Sequence, residues 1–239
     1  MLTIDAKNKD GRALCAEVAA AQDVTVQSCE GQRFLCAGKK EGHAEIFGVP
    51  GNALGAYLCG ARITVHGNAQ DAVGDTMDDG RIVIEGSVGD AVGYAMRGGE
   101  IYVRGDAGYR AGIHMKEYGE KKPVLVIGGS AGSFLGEYQA GGLIVVLGLS
   151  EKEKIVGDFC GTGMHGGKIL LRTDCPPGSF PAQVRCERAG KEELVAAQPY
   201  IDNYCRFFGV DREKVLSGVF YLLHPNSANP YRQLYVSEG

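Results

Sequence analysis

Two interleaved series of glycines set the limits on this fold: Gly48, Gly67, Gly86 and Gly105 stand 19 residues apart, and so do Gly55, Gly74, Gly93 and Gly112. A fixed period of this length means that one small unit is stacked on copies of itself. The units read RITVHGNAQDAVGDTMDDG from Arg62, RIVIEGSVGDAVGYAMRGG from Arg81 and EIYVRGDAGYRAGIHMKEY from Glu100. After an insertion of about four residues near 119–122 the pattern resumes from Pro123 and from Gly142, with Gly136 in the corner position. Beyond a charged insertion at 150–154 it returns once more, around Gly161.

Each unit carries a β-branched and aliphatic run, a Gly-rich corner, a second short apolar segment and another corner, which reads as strand, turn, strand, turn. Such a unit cannot bury its own apolar face, so its backbone must pair with coils ~4.8 Å above and below. Period-two alternation along the runs predicts one apolar row through Ile63, Ile82, Ile101, Val124, Leu143 and Ile169. A second row is predicted through Val65, Ile84, Val103, Val126, Val145 and Leu171, and a third through Leu58, Met77, Met96 and Met115, as soft core filler. The expected fold is all-β, a single-stranded right-handed β-helix, or solenoid, of about six coils of 19 residues. In it the repeat glycines (48, 55, 67, 74, 86, 93, 105, 112, 136 and 161) are architectural, because stacked corners need positive φ or an approach too close for a Cβ.

Glycine usage breaks sharply: 32 of the 37 glycines precede Thr173. This divides the chain into an N-terminal cap (1–40), the Gly-rich solenoid (41–172) and a helical C-terminal tail (173–239). In the cap, 12–21 reads as a short amphipathic helix, and 24–29 and 33–37 as strands that are candidates for the start of the solenoid. In the tail, 191–198, 200–208 and 211–217 read as helices, the last with Asp211 as N-cap. The closing FYLLHPNSANPYRQLYV is expected to pack back on the body or on another subunit.

A net charge of −4 and the absence of any long Lys/Arg block exclude a nucleic-acid partner. The longest apolar run, near 143–149, is too short for a bilayer, and MLTIDAKNKDG lacks the apolar core of a signal peptide, so a cytoplasmic protein without a membrane partner is expected. Eight cysteines without any C-x-x-C read as reduced, mostly buried thiols. The run Gly161-Thr162-Gly163-Met164-His165-Gly166 spells the dinucleotide signature, but it leads into the apolar strand Lys168-Ile169-Leu170-Leu171 rather than a helix, so it reads as a repeat corner.

The outward rows offer the only candidate chemistry. His66, Glu85 and Arg104 align as a cross-strand charge row. Asn52, Asp71 and Asp90 align before corners, where Asx side chains accept turn N–H groups; stacked carboxylates are also cation ligands, although Ca²⁺ needs six or more oxygens. His114 and His165 have no partner evident in the sequence. Asp71, Asp90, Arg97, His114 and Lys116 are the surface candidates, and no catalytic, cofactor-binding or metal residues are expected.

The stretches FGVPGNALGAYL, HGNAQDAVGDTM, GDAVGYAMRGG, GYRAGIHMKEY, FLGEYQAGG and FCGTGMHGG, with YCRFFGV and NPYRQLY in the tail, resemble the Gly-rich GXGXG β-helix domain of the glutamate synthase large subunit, which split forms carry as a separate polypeptide. The same fold serves as the β-helix subunit of formylmethanofuran dehydrogenase and as a subunit of N-methylglutamate synthase. The resemblance implies a non-catalytic structural subunit that holds a glutamine amidotransferase and an FMN-dependent synthase subunit together in glutamate biosynthesis. FMN and an iron–sulfur cluster would reside in those partners, with no cofactor in this chain, and a homo-oligomer is compatible. An N-terminal nucleophile amidotransferase needs Cys at its mature start, whereas Leu2 follows Met1 here. The competing expectation is an independent β-helix carbohydrate-active enzyme working through Asp71, Asp90, Arg97 and Lys116.

Overall fold

The computed structural model describes residues 2–7, 9–150, 152–175, 178 and 180–226. Among these residues nine parallel strands follow one another: β1 (Leu2–Asp5), β2 (Val24–Glu30), β3 (His43–Val49), β4 (Cys59–His66), β5 (Asp79–Ile84), β6 (Glu100–Val103), β7 (Val124–Ile127), β8 (Ala140–Val146) and β9 (Gly166–Arg172). Each pairs with the next, so the chain winds a β-solenoid of about eight turns rather than the expected six. The two turns missed come first. Helix α1 (Gly11–Ala20) replaces the corner between β1 and β2, and the turn between β2 and β3 places Phe34 and Cys36 where later coils have Ala and Gly. That turn includes 33–37, expected as a strand; Phe34 and Cys36 instead adopt φ of 59° and 58°.

Helix α1 starts where the Asp10 carboxylate accepts the N–H groups of Arg12 and Ala13, and it buries Leu14 and Val18 in the core. Its C-terminal carbonyls are satisfied by a buried lysine: Lys39 Nζ donates to Val18 O (3.3 Å) and to Ala21 O. A cation at that end also suits the helix dipole.

The first two predicted apolar rows are correct as far as Ile101 and Val103, then run one residue out. Ile101 pairs with Leu125, not Val124, and the row continues through Ile144, not Leu143, to Ile169. The companion row likewise runs through Ile127 and Val146 instead of Val126 and Val145. A slip of one flips every side chain to the other face, and an alternating strand would have revealed it. Strand β7 reads VLVI and is buried at all four positions, so its sequence does not tell inside from outside.

The outer face is apolar there because the tail covers it. Helix α2 (Lys191–Phe208) lays Ala197, Ile201, Tyr204 and Phe208 against Tyr102, Val124, Val126 and Val145. It is one helix through Pro199, where two were predicted. Proline removes a single backbone hydrogen bond, and burial of the residues just beyond it holds the helix together. Gly209, at φ 64°, ends α2; Asp211 caps α3 (Arg212–Leu216), its carboxylate accepting from Glu213 and Lys214 N–H. Among the described residues the tail also supplies two strands that sequence patterning did not show. Strand β11 (Phe220–Pro225) pairs antiparallel with β9, and β10 (Val184–Arg188) pairs antiparallel with β11. The segment NPYRQLY lies outside the described residues.

The third row is core, as expected: Met77, Met96 and Met115 are fully buried, and Met164 continues it. Between them Gln139 is unexpected in the column, and its Nε2 donates to the carbonyls of Gly141 (3.1 Å) and Gly142 (3.2 Å). All eight cysteines are free thiols, half of them buried; burial pushes Cys29 up to about 11 and Cys36 and Cys160 to about 12, which leaves these thiols unreactive. Among the described residues no helix is long and apolar enough to cross a membrane.

Candidate functional site

The second apolar segment of each coil, read as a strand, is a turn in which alternate residues are left-handed. In the coil of Ala72 the residues at φ > 0 are Ala72, Gly74 and Thr76; the next coils repeat this at Ala91, Gly93 and Ala95, then at Arg110, Gly112 and His114. Backbone bonds run alternately up and down the stack: Ala72 N–H donates to Asp90 O (2.8 Å) in the following coil, and Gly74 N–H to Leu54 O (2.8 Å) in the preceding one. True β pairing in this segment is reduced to single-residue bridges joining Ala69, Val88, Ala107, Ala131 and Val156. The repeat glycines accordingly divide into two kinds. Those at 55, 74, 93, 112, 136 and 161 are the central left-handed residue, with φ of 64–73°. Those at 48, 67, 86 and 105 press against the preceding coil, as at Gly48, where a Cβ would lie 2.3 Å from Cys29 O.

The Asx row does cap turns across coils. Asp71 Oδ1 accepts Asp90 N–H (2.9 Å), Asp90 Oδ1 accepts Tyr109 N–H (2.7 Å), and Asn52 makes a longer contact of 3.4 Å to Asp71 N. A second ladder, not foreseen, runs through Asn68, Ser87, Asp106 and Ser130: the side-chain oxygens of the first three each accept the N–H of the next member, one coil on (2.7–3.0 Å). Its signal was present in sequence as small polar residues recurring just after the strand. Asp106 also receives Lys152 Nζ at 2.8 Å. Partial burial alone would raise this carboxyl, but Lys152, the Ser130 N–H and hydroxyl, and Ser150 outweigh it and hold it at about 2.

A depressed folded-state pKa gives stability that is present above the unfolded value, near ~3.9, and lost as pH falls through 2. With a third of the Asp106 side chain in solvent, screening trims this to roughly 1 kcal/mol. Asp106→Asn is expected to lower urea stability by that amount at pH 7 and to flatten its fall between pH 4 and 2. Parallel pH–stability curves for variant and parent would refute the assignment.

The remaining candidates do not converge on one site. Arg97 pairs with Asp78 (3.4 Å), and Lys116 occupies the equivalent place one coil on. His114 stacks on Tyr138, with ring centroids 5.2 Å apart, and meets Tyr94 edge-on at 5.9 Å. His66 Nδ1 lies 3.0 Å from Glu85, completing half of the predicted charge row; among the described residues no ion pair continues it to Arg104. The signature-like Gly161-Thr162-Gly163 run is a corner that feeds β9. A polar groove of about 390 Å³ lies beside Tyr200, lined by Arg62, Asp79, Lys121 and Lys122 together with an Arg81–Glu100 ion pair of 2.9 Å. Among the described residues no three His, Cys, Asp or Glu side chains gather as a metal site.

Comparison with known proteins agrees with this geometry. The family model described as the GXGXG motif matches residues 24–221. The chain belongs to the GXGXG family. A curated relative of this GXGXG chain is the uncharacterized protein MJ1350 of Methanocaldococcus jannaschii, 46% identical over 224 residues, covering 90% of this chain and 86% of that protein. Among solved structures, a chain of the formyltransferase/hydrolase complex FhcABCD from Methylorubrum extorquens, crystallised with methylofuran, matches with a TM-score of 0.64. At 19% identity over 92% of this chain and 89% of that one, the likeness shows a shared fold.

Proposed function

We propose that this GXGXG chain is a non-catalytic structural subunit of a cytoplasmic multi-subunit enzyme complex. The observation that carries the proposal is the extent of the fold match: 92% of the chain is covered by a component of a multi-subunit assembly. The engagement of Asp71, Asp90 and Asp106 in bonds between coils supports a scaffolding role for these rows. The wording of the repeat favours a glutamate-synthase-type complex, in which the solenoid holds a glutamine amidotransferase against an FMN-dependent synthase subunit that carries the FMN and the iron–sulfur cluster. A second reading, the β-helix subunit of a formylmethanofuran-dehydrogenase-type complex, is favoured by the FhcABCD likeness.

Purification of the tagged chain from its source at endogenous level separates the two. The first reading expects a flavoprotein with flavin absorbance and an amidotransferase in the same peak. Hydrolase- and formyltransferase-type partners without flavin would replace it by the second, and a chain that runs alone would sink both.

A further inference from the structure

Among the described residues, six of the ten most exposed large hydrophobic side chains lie on the left-handed corners: Phe34, Tyr57, Tyr94, Tyr109, Tyr138 and Phe159. Such a concentration along one ridge of a solenoid is not scatter; exposed apolar patches of this kind mark contact surfaces. Backbone conformation argues the same way. Phe34, Tyr57, Phe134, Tyr138 and Phe159 hold φ of 53–62°, at places where other coils use Ala or Thr. Bulky side chains are disfavoured there, and strain of this sort persists where a surface has a task.

The ridge is also acidic. From Asn52 to Met164 its corners carry Asp71, Asp75, Asp90, Glu137 and Asp158 against the single guanidinium of Arg110. Arg110 itself displays what such a surface accepts. Its guanidinium lies over Tyr109 (5.0 Å) and Phe134 (4.9 Å) while Nε meets Glu137 at 2.9 Å. Elsewhere the same plates and carboxylates recur, and among the described residues no arginine lies over them: Tyr94 follows Asp75 one coil on in the same column, and Phe159 adjoins Asp158. Aromatic faces beside carboxylates attract cations by the ring quadrupole and by charge together.

We propose that this aromatic and acidic ridge is the docking face for a partner protein whose contact surface presents arginine and lysine side chains. The proposal rests on the multi-subunit reading above and names the face and the chemistry that the partner must bring. Tyr, Trp and Arg dominate the energetics of protein interfaces, and a net charge contrast orients the encounter.

The test uses the tagged chain purified from its source with whatever subunits accompany it. Phe159→Gly combined with Asp158→Asn, and separately Tyr94→Ala, remove the plates and one carboxylate; glycine also relieves the positive φ, so the isolated double variant should melt no lower than the parent. Recovery of the accompanying subunits is expected to fall at least tenfold in the double variant. Carbodiimide coupling of the parent complex should join Asp90 or Asp158 to partner lysines, and the parent complex should weaken as salt rises. Undiminished recovery in both variants would overturn the proposal, as would cross-links confined to other faces or found only between copies of this chain. A parent chain that purifies alone would instead refute the multi-subunit reading on which it stands.

Discussion

Gly48→Ala is expected to lower stability by about 3 kcal/mol or more, whereas Gly93→Ala should lose only about 1 kcal/mol. Both residues belong to the 19-residue series and both have positive φ, 111° and 70°. They differ in what a methyl group would meet. At Gly48 it would sit 2.3 Å from Cys29 O and 2.9 Å from Cys29 N, main-chain atoms fixed by the pairing of β2 with β3. At Gly93 the nearest atoms are 3.8 Å away and belong to Leu125 and Met96 side chains, so only the left-handed backbone is penalised. Urea unfolding of the two variants beside the parent measures the gap; equal losses would show that the two series share one cause.

Tyr204→Ala should be comparably damaging, at roughly 3–5 kcal/mol, because it removes a large buried side chain that joins α2 to the solenoid. The residue is 1% exposed, its hydroxyl donates to Arg104 O at 3.0 Å, and its ring meets Phe208 edge-on at 4.8 Å. Burial pushes its hydroxyl well above the ordinary tyrosine range, so it stays a donor at any working pH. Gly128 is part of the same joint, since a Cβ there would fall 1.8 Å from the Tyr204 hydroxyl. Tyr204→Phe, which keeps the ring and loses the bond, should lose only about 1 kcal/mol. If the alanine variant kept the parent's urea midpoint, α2 would not be held by this contact. Detachment would expose Tyr102, Val124, Val126 and Val145, so the variant should also aggregate on warming.

The β-solenoid was legible because a solenoid writes its period into the sequence. Gly55, Gly74, Gly93 and Gly112 recur at one spacing since each coil must turn left-handed at the same height, and Met77, Met96 and Met115 recur because one core column runs through every coil. The first two turns were legible only in part: their helix and the strand at 24–29 could be read, but a helix and an aromatic corner perform the turns without the glycine pattern, so they were not counted as coils. Nor was the ridge: aromatic residues in the corners look like ordinary apolar residues of a strand until the backbone there is known to be left-handed, which turns them outward.

What the sequence determined by itself is therefore the stacked repeat, its glycine corners, the Met column, the Asx row and the Asp211 cap, all of which depend on contacts between equivalent residues or near neighbours. What only the tertiary structure decided is the register beyond Ile101, the outer face buried under α2, the return of β11 onto β9 and the outward ridge. The physical reason is clearest at β7. Its register and its covered face depend on which of two similar faces a distant segment packs against, and a strand such as VLVI, apolar on both sides, leaves that choice to the helix that covers it.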